Sequence, residues 1–257
     1  MSDKRQGGVR AAAPKHHSVV DGLSRLKRNL PDDVHQRIKL VACHLFALRG
    51  IDGVATRDIL QAAKVKNAGA IGYYFGSKEN LVRQILVEGT RQIDQRRGEL
   101  LDACLREDEP LSIEVLVNIL IHAITDQADI GERRFICFTL MASLSHRDLY
   151  VTTMFREPSI HFSRCIAHLK QLMPPMPPSA QHQRLLFMKS NMGMALARRE
   201  SALASGDDAN EWASDNMLRH YICSETAMLG AAFDESIWPD GGPRQIRDVN
   251  AVTHDPL

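Results

Sequence analysis

The sequence predicts an all-α protein. Apolar residues recur three and four apart through most of its 257 residues, capping residues precede these runs with Gly or Pro after them, and no segment alternates as a strand would. Asp32 and Asp33 put acid at the start of a first helix, in which Ile38, Val41, Ala42, Leu45 and Phe46 share a face until Gly50 stops it. Thr56 reads as the N-cap of a second helix over 57–64, barely two turns long, with Asp58 in its first turn and Ile59, Ala62 and Ala63 on one side. Asn67 reads as the cap of a third, ending at Tyr74, and Gly76 breaks it. Ser77 caps a long fourth helix to about Leu105, striped by Leu81, Ile85, Ile93, Leu100 and Cys104.

Further helical segments are expected at about 111–127, 132–146 and 148–172, the last kinked or divided at Pro158 because proline removes a ladder hydrogen bond. The proline-rich run at 173–178 is a stiff break before two helices at about 180–204 and 209–234. The first carries a stripe of Leu185, Met188, Met192, Ala195, Leu196 and Leu203. The second carries Leu218, Ile222, Leu229, Ala232 and Phe233. Residues 1–30 are too polar and broken to pack and read as a basic arm, and 236–257 read as a loose tail.

Charge divides the chain. The net is +1, yet residues 1–80 hold 14 Lys/Arg against 7 Asp/Glu, whereas residues 81–257 hold 18 against 24. A basic front and an acidic rear point to a polyanion partner for the first third. No apolar run approaches a bilayer span and the N-terminus lacks an apolar signal core, so no membrane and a cytoplasmic location are expected. Five scattered cysteines without CxxC spacing (Cys43, Cys104, Cys137, Cys165 and Cys223) read as reduced thiols. His161 and His168 lack a third partner, so neither metal nor cofactor is expected, and Ser24-x-x-Lys27 lies in the arm and is set aside as a nucleophile motif.

The stretch 67–81, NAGAIGYYFGSKENL, carries the functional reading. Three short helices, the second and third joined by a tight turn at Lys64-Val65-Lys66, have the dimensions of a helix-turn-helix, whose later helix enters the DNA major groove. Ala68, Gly69, Ala70 and Gly72 are small enough for close backbone approach to bases and phosphates. Tyr73 and Tyr74 offer hydroxyls to phosphates, and Lys78 with the first amides of the fourth helix forms an anion site.

The run LFALRGIDGVATRDILQAAKVKNAGAIGYYFGSKENLV closely resembles the DNA-binding domain of the tetracycline repressor (TetR) family, in detail over about residues 34–85. The resemblance implies that Thr56 and Arg57 meet a phosphate, that Asn67 to Gly72 face bases, that Tyr73, Tyr74 and Lys78 hold the backbone, and that Phe75 anchors the core. It implies domains at 31–78 for DNA and 79–235 for ligand binding and dimerisation. Two positions depart from the family pattern: Lys64 stands where glycine is usual, and Lys66 where a Ser or Thr cap is usual.

The resemblance further implies an apolar effector pocket, with His122, Phe135, Phe138, Met141, Phe155, Phe162 and Met192 as candidate lining. It favours a homodimer in which the stripes on the last two helices, Leu185, Met188, Met192, Leu218, Ile222 and Leu229, complete a four-helix bundle with a second copy. A two-fold dimer reads an approximate palindrome with half-sites about 34–36 Å apart. The expected protein is a ligand-responsive repressor and not an enzyme. Two alternatives stand beside it: a DNA-organising protein without effector, and a helical enzyme with a DNA-targeting module.

Overall fold

The structure is a computed structural model that describes residues 30–107, 110–127, 134–157, 159–206 and 210–234. The expected basic arm, Pro158 itself and the expected C-terminal tail lie outside the described residues. Among the described residues there are ten α-helices and no strand. They are α1 (Val34–Arg49), α2 (Thr56–Ala62), α3 (Ala70–Phe75), α4 (Lys78–Arg106), α5 (Ile113–Thr125), α6 (Phe135–Ser145), α7 (Arg147–Phe155), α8 (Ile160–Leu172), α9 (Pro178–Ser205) and α10 (Asp215–Gly230).

Asp33 starts α1 by accepting from the Gln36 amide at 2.7 Å, and Gly50, at φ +71°, ends it. From Val41 to Phe46 every residue is buried, so this helix is wrapped on all sides, by α2, α4 and α6. One charge is taken inward with a partner: Lys39, 5% exposed, places Nζ 2.6 and 2.5 Å from the two carboxylate oxygens of Glu88 on α4.

The long helix α4 begins where Ser77 Oγ accepts from the Asn80 amide at 3.0 Å, and its 29 residues span roughly 40 Å at about 1.5 Å per residue. Its inner side packs on α5, α7 and α8. Two glycines permit the closest approaches: a Cβ at Gly89 would strike the Phe135 ring, and one at Gly98 would strike the His161 ring. Arg83 ties its first turns to α7, donating to Thr153 Oγ1 at 2.8 Å and Thr152 Oγ1 at 3.2 Å.

Two helices are capped by carboxylates from elsewhere in the chain. Glu200 of α9 accepts from the Ile136 and Cys137 amides at 3.2 and 2.7 Å, closing the start of α6. Asp94 of α4 accepts from the His161 and Phe162 amides at 3.0 and 2.8 Å, closing the start of α8. Each satisfies donors that a helix N-terminus leaves open. Neither capping role has a local sequence signal.

The expected helix over 148–172 is two, α7 and α8, parted between Phe155 and Ile160. The last helix is shorter than expected. A 3₁₀ turn at Glu211–Ala213 precedes it, Ser214 caps it, and it stops at Gly230, so Ala232 and Phe233 lie beyond its end. Arg184 holds the chain there through the carbonyls of Leu229, Ala231 and Ala232.

The largest correction concerns the stripes assigned to a second copy. Leu185 (4% exposed), Met188 (2%), Met192 (9%), Ile222 (5%) and Leu229 (0%) are already buried inside this chain, and Leu218 packs against the same core. The most apolar face of each helix is taken by its own monomer. Leu203, in contrast, leaves the stripe and is exposed.

Burial holds the Glu200 carboxyl up at about 7 from an ordinary 4.5. A raised folded-state value means stability present below the unfolded value and lost as pH rises through the folded one. Between pH 5 and pH 8 the folded state is expected to lose about 2 kcal/mol through this group. Glu200→Gln removes that dependence, so the stability of the variant relative to the parent should rise by a similar amount over the interval, measured by urea unfolding at each pH.

Candidate nucleic-acid interface

A short connection joins α2 to α3 because the chain reverses at one residue. Lys64 sits at φ +55°, the left-handed region, and the Val65 amide returns to Leu60 O at 2.9 Å. This is why glycine suits the position: a Cβ there is strained by about 1 kcal/mol. The third helix is not capped at Asn67 or Lys66. Asn67 Oδ1 accepts from the Gly69 amide at 2.9 Å in a side-chain-closed turn, Gly69 occupies the cap position, and helical geometry begins at Ala70. Similarly Ala55, not Thr56, holds the cap position of α2, and Asp58 reaches back to its amide at 3.3 Å. The two shifts differ in cause: Asn67 closes its turn from outside α3, whereas Asp58 reaches back from inside α2.

Helical geometry then sorts the predicted residues by face. Ala70 (1% exposed), Ile71 and Phe75 point into the core, so Ala70 is a packing residue and cannot face bases as expected. Asn67, Ala68, Gly69, Gly72, Tyr73 and Tyr74 are exposed, as are Thr56, Arg57 and Lys66. Tyr73 is 81% exposed, a large aromatic surface that no packing in this chain explains. Its ring meets Tyr74 edge-on at 4.9 Å, and Tyr74 lies 5.9 Å from His35, which itself stacks on Phe75 at 4.6 Å.

Behind these tyrosines lies a cleft of about 360 Å³ lined by Val34, Arg37, Lys64, Val65, Lys66, Asn67, Ala70, Tyr73 and Tyr74. Three cations border it. Arg37 is fixed there by the carbonyls of Pro31 and Asp32, at 3.0 and 3.3 Å. Neither Arg37 nor His35 was singled out from the sequence, since a lone basic residue on a helix resembles a solvated one.

Lys78 stands at the first turn of α4, half-buried, with Nζ 5.8 Å from the Phe46 ring centroid. The opening amides of that helix lack intrahelical acceptors. A cation, free N–H groups and adjacent tyrosine hydroxyls are the components of a phosphate-binding edge.

The predicted rear residues do not converge in the same way. Phe135 and Phe138 are buried at 2% and 0% exposure, and Phe138 stacks on Phe46 of α1 at 5.9 Å. Phe162 is half-buried between α4 and α9, and Met192 is buried. Phe155 is 67% exposed and Met141 38% exposed, on the outside of α7 and α6, so neither lines an interior pocket in this conformation. His122 pairs with Asp126 at 3.0 Å near the surface. Among the described residues no group of three or more His, Cys, Asp or Glu could hold a metal ion, and no helix is long and apolar enough to cross a membrane.

Fold and surface together define a helix-turn-helix DNA-binding domain followed by a larger helical assembly. Within it, residues 40–85 match the family model of the bacterial regulatory proteins of the tetR family. Among solved structures the chain resembles a Mesorhizobium loti protein described as a TetR-family transcriptional regulator, with 17% identity over 80% of this chain and 96% of that one and a TM-score of 0.42. It also resembles the superantigen pfit, at 14% identity over 84% of this chain and 100% of that one, with a TM-score of 0.41. At this level neither likeness carries an argument. No curated protein matches the chain.

The strained turn gives a direct test. Lys64→Gly should stabilise the domain by about 0.5–1 kcal/mol through relief of the left-handed strain, partly offset by backbone entropy, while weakening DNA binding by removing a cation from the cleft. Urea denaturation and a duplex titration on the same variant measure the two opposite signs.

Proposed function

We propose that the chain is a ligand-responsive transcriptional repressor that binds palindromic operator DNA as a homodimer and is released by a small apolar effector. Residues 31–78 form the DNA-binding unit and 79–235 the sensing and dimerising unit, working in the cytoplasm where the DNA is. The observation that carries this reading is the exposed Tyr73-Tyr74 pair beside Lys64 and Lys66, on a domain whose first helix shares its core with the rear helices.

In this reading Tyr73, Tyr74, Thr56, Arg57 and Lys78 grip phosphates, while Asn67, Ala68, Gly69 and Gly72 approach base edges. The effector acts through two contacts, Phe138 on Phe46 and α4 leading to Lys78. A ligand that prefers the DNA-incompetent arrangement by about 3 kcal/mol weakens operator binding by more than roughly a hundredfold. Ligand contacts from Phe162 and Met192 fit this better than contacts from Phe155 or Met141, which face outward.

The dimer face follows from what the monomer leaves open. On α9, Phe187 (57% exposed) and Met194 (49%) lie on one side with Asn191 and Arg198, and the outer side of α10 offers the small residues Cys223 and Ala227. Exposed apolar residues on α9 and small exposed residues on the neighbouring α10 support a four-helix contact with a second copy.

Two experiments test the proposal. Tyr74→Phe should cost about 0.5–1.5 kcal/mol of affinity on all duplexes alike, whereas Asn67→Ala should change the ranking of operators in a randomised-duplex selection; equal, sequence-blind losses from both would reverse the assigned roles. Met194→Glu should yield a folded monomer by light scattering with unchanged helical circular dichroism. A dimer that survives it places the interface on another face.

A further inference from the structure

An unsatisfied cation lies inside the rear helices. Arg97 of α4 is 8% exposed, its Nε is buried without a hydrogen-bond partner, and its one ion pair, with Asp94 at 3.8 Å, is too long for a hydrogen bond. Asp94 is already engaged, since each of its oxygens accepts an amide at the start of α8. The guanidinium therefore keeps a buried Nε–H that no described residue accepts, and only a long ion pair at Nη1. Such a group normally costs several kcal/mol unless something else answers it.

Its surroundings suit an amphipathic guest. Arg97 Cζ lies 5.0 Å from the Phe162 ring centroid, and Lys189 Nζ of α9 lies 5.3 Å from the same ring. Burial lowers Arg97 from 12.5 to about 10, which still leaves it fully charged at neutral pH. The nearby Arg164 is matched elsewhere, donating to Asp102 at 2.7 Å.

We propose that Arg97 is the anion subsite of the effector pocket, and that the effector is an apolar small molecule bearing a carboxylate, with the carboxylate on the guanidinium and the apolar body against Phe162. Arginine presents a planar fork that matches a carboxylate with two parallel hydrogen bonds. The inference rests on the effector-responsive reading above and sharpens it from an apolar ligand to an apolar acid. An acid bound here also touches α4 directly, so its charge acts on the helix that carries Lys78.

The test uses the full chain and two matched pairs, octanoate against octanamide and phenylacetate against phenylacetamide, scored by thermal shift and by release from operator DNA. At least one carboxylate should bind roughly 10- to 100-fold tighter than its amide. That preference should vanish in Arg97→Met and in Arg97→Gln, each checked as folded by its helical circular dichroism before titration. Equal binding of acid and amide, or a preference that survives both variants, overturns the Arg97 subsite while leaving an effector pocket in place. If no member of either pair binds, both the subsite and the sensing reading fall.

Discussion

Everything else in the molecule depends on α1 belonging to two cores at once. Its inner side packs α2 and α4 in the DNA-binding domain, and its far side packs α6, with Phe46 against Phe138. The buried residues form one continuous cluster from Ile38 to Leu229, with no apolar boundary between the front and the rear. A DNA-binding module hung on a linker would not feel the rear helices. Here it shares packing density with them, and close-packed interiors transmit strain.

Polar contacts reinforce that continuity in specific directions. Lys39 and Glu88 pin α1 to α4, Arg83 pins α4 to α7, and His146 at the α6–α7 junction reaches Asp52, 3.3 Å away, in the loop after α1. The buried Lys39 end is the energetically consequential one, since losing its partner would strand a charge away from water. The exposed ends count for less.

The legibility of the sequence follows from the range of each interaction. The turn at Lys64, the exposed tyrosines and the cap at Ser77 are decided by neighbours within a few positions, so the pattern around residues 56–78 could be read directly. Ala70 shows the limit: smallness marks a close approach, and only helical phase tells whether the approach is to DNA or to the domain's own core. The stripes on α9 and α10 failed for a related reason. Periodicity reveals that Met188 or Ile222 is buried without naming the partner, and here that partner is the same chain. Asp94, Arg97 and Glu200 were invisible because a single charge on a helix reads as solvated until a distant element closes over it.

The paired glycines on α4 carry a mechanical implication. Gly89 under Phe135 and Gly98 under His161 seat one rod against two rings, two and a half turns apart and therefore on opposite sides of it. Spinning the rod about its long axis would bring neighbouring side chains into those rings, so axial rotation is blocked. The rod is clamped from two sides at once, so α6 and α8 must both give way before it can turn.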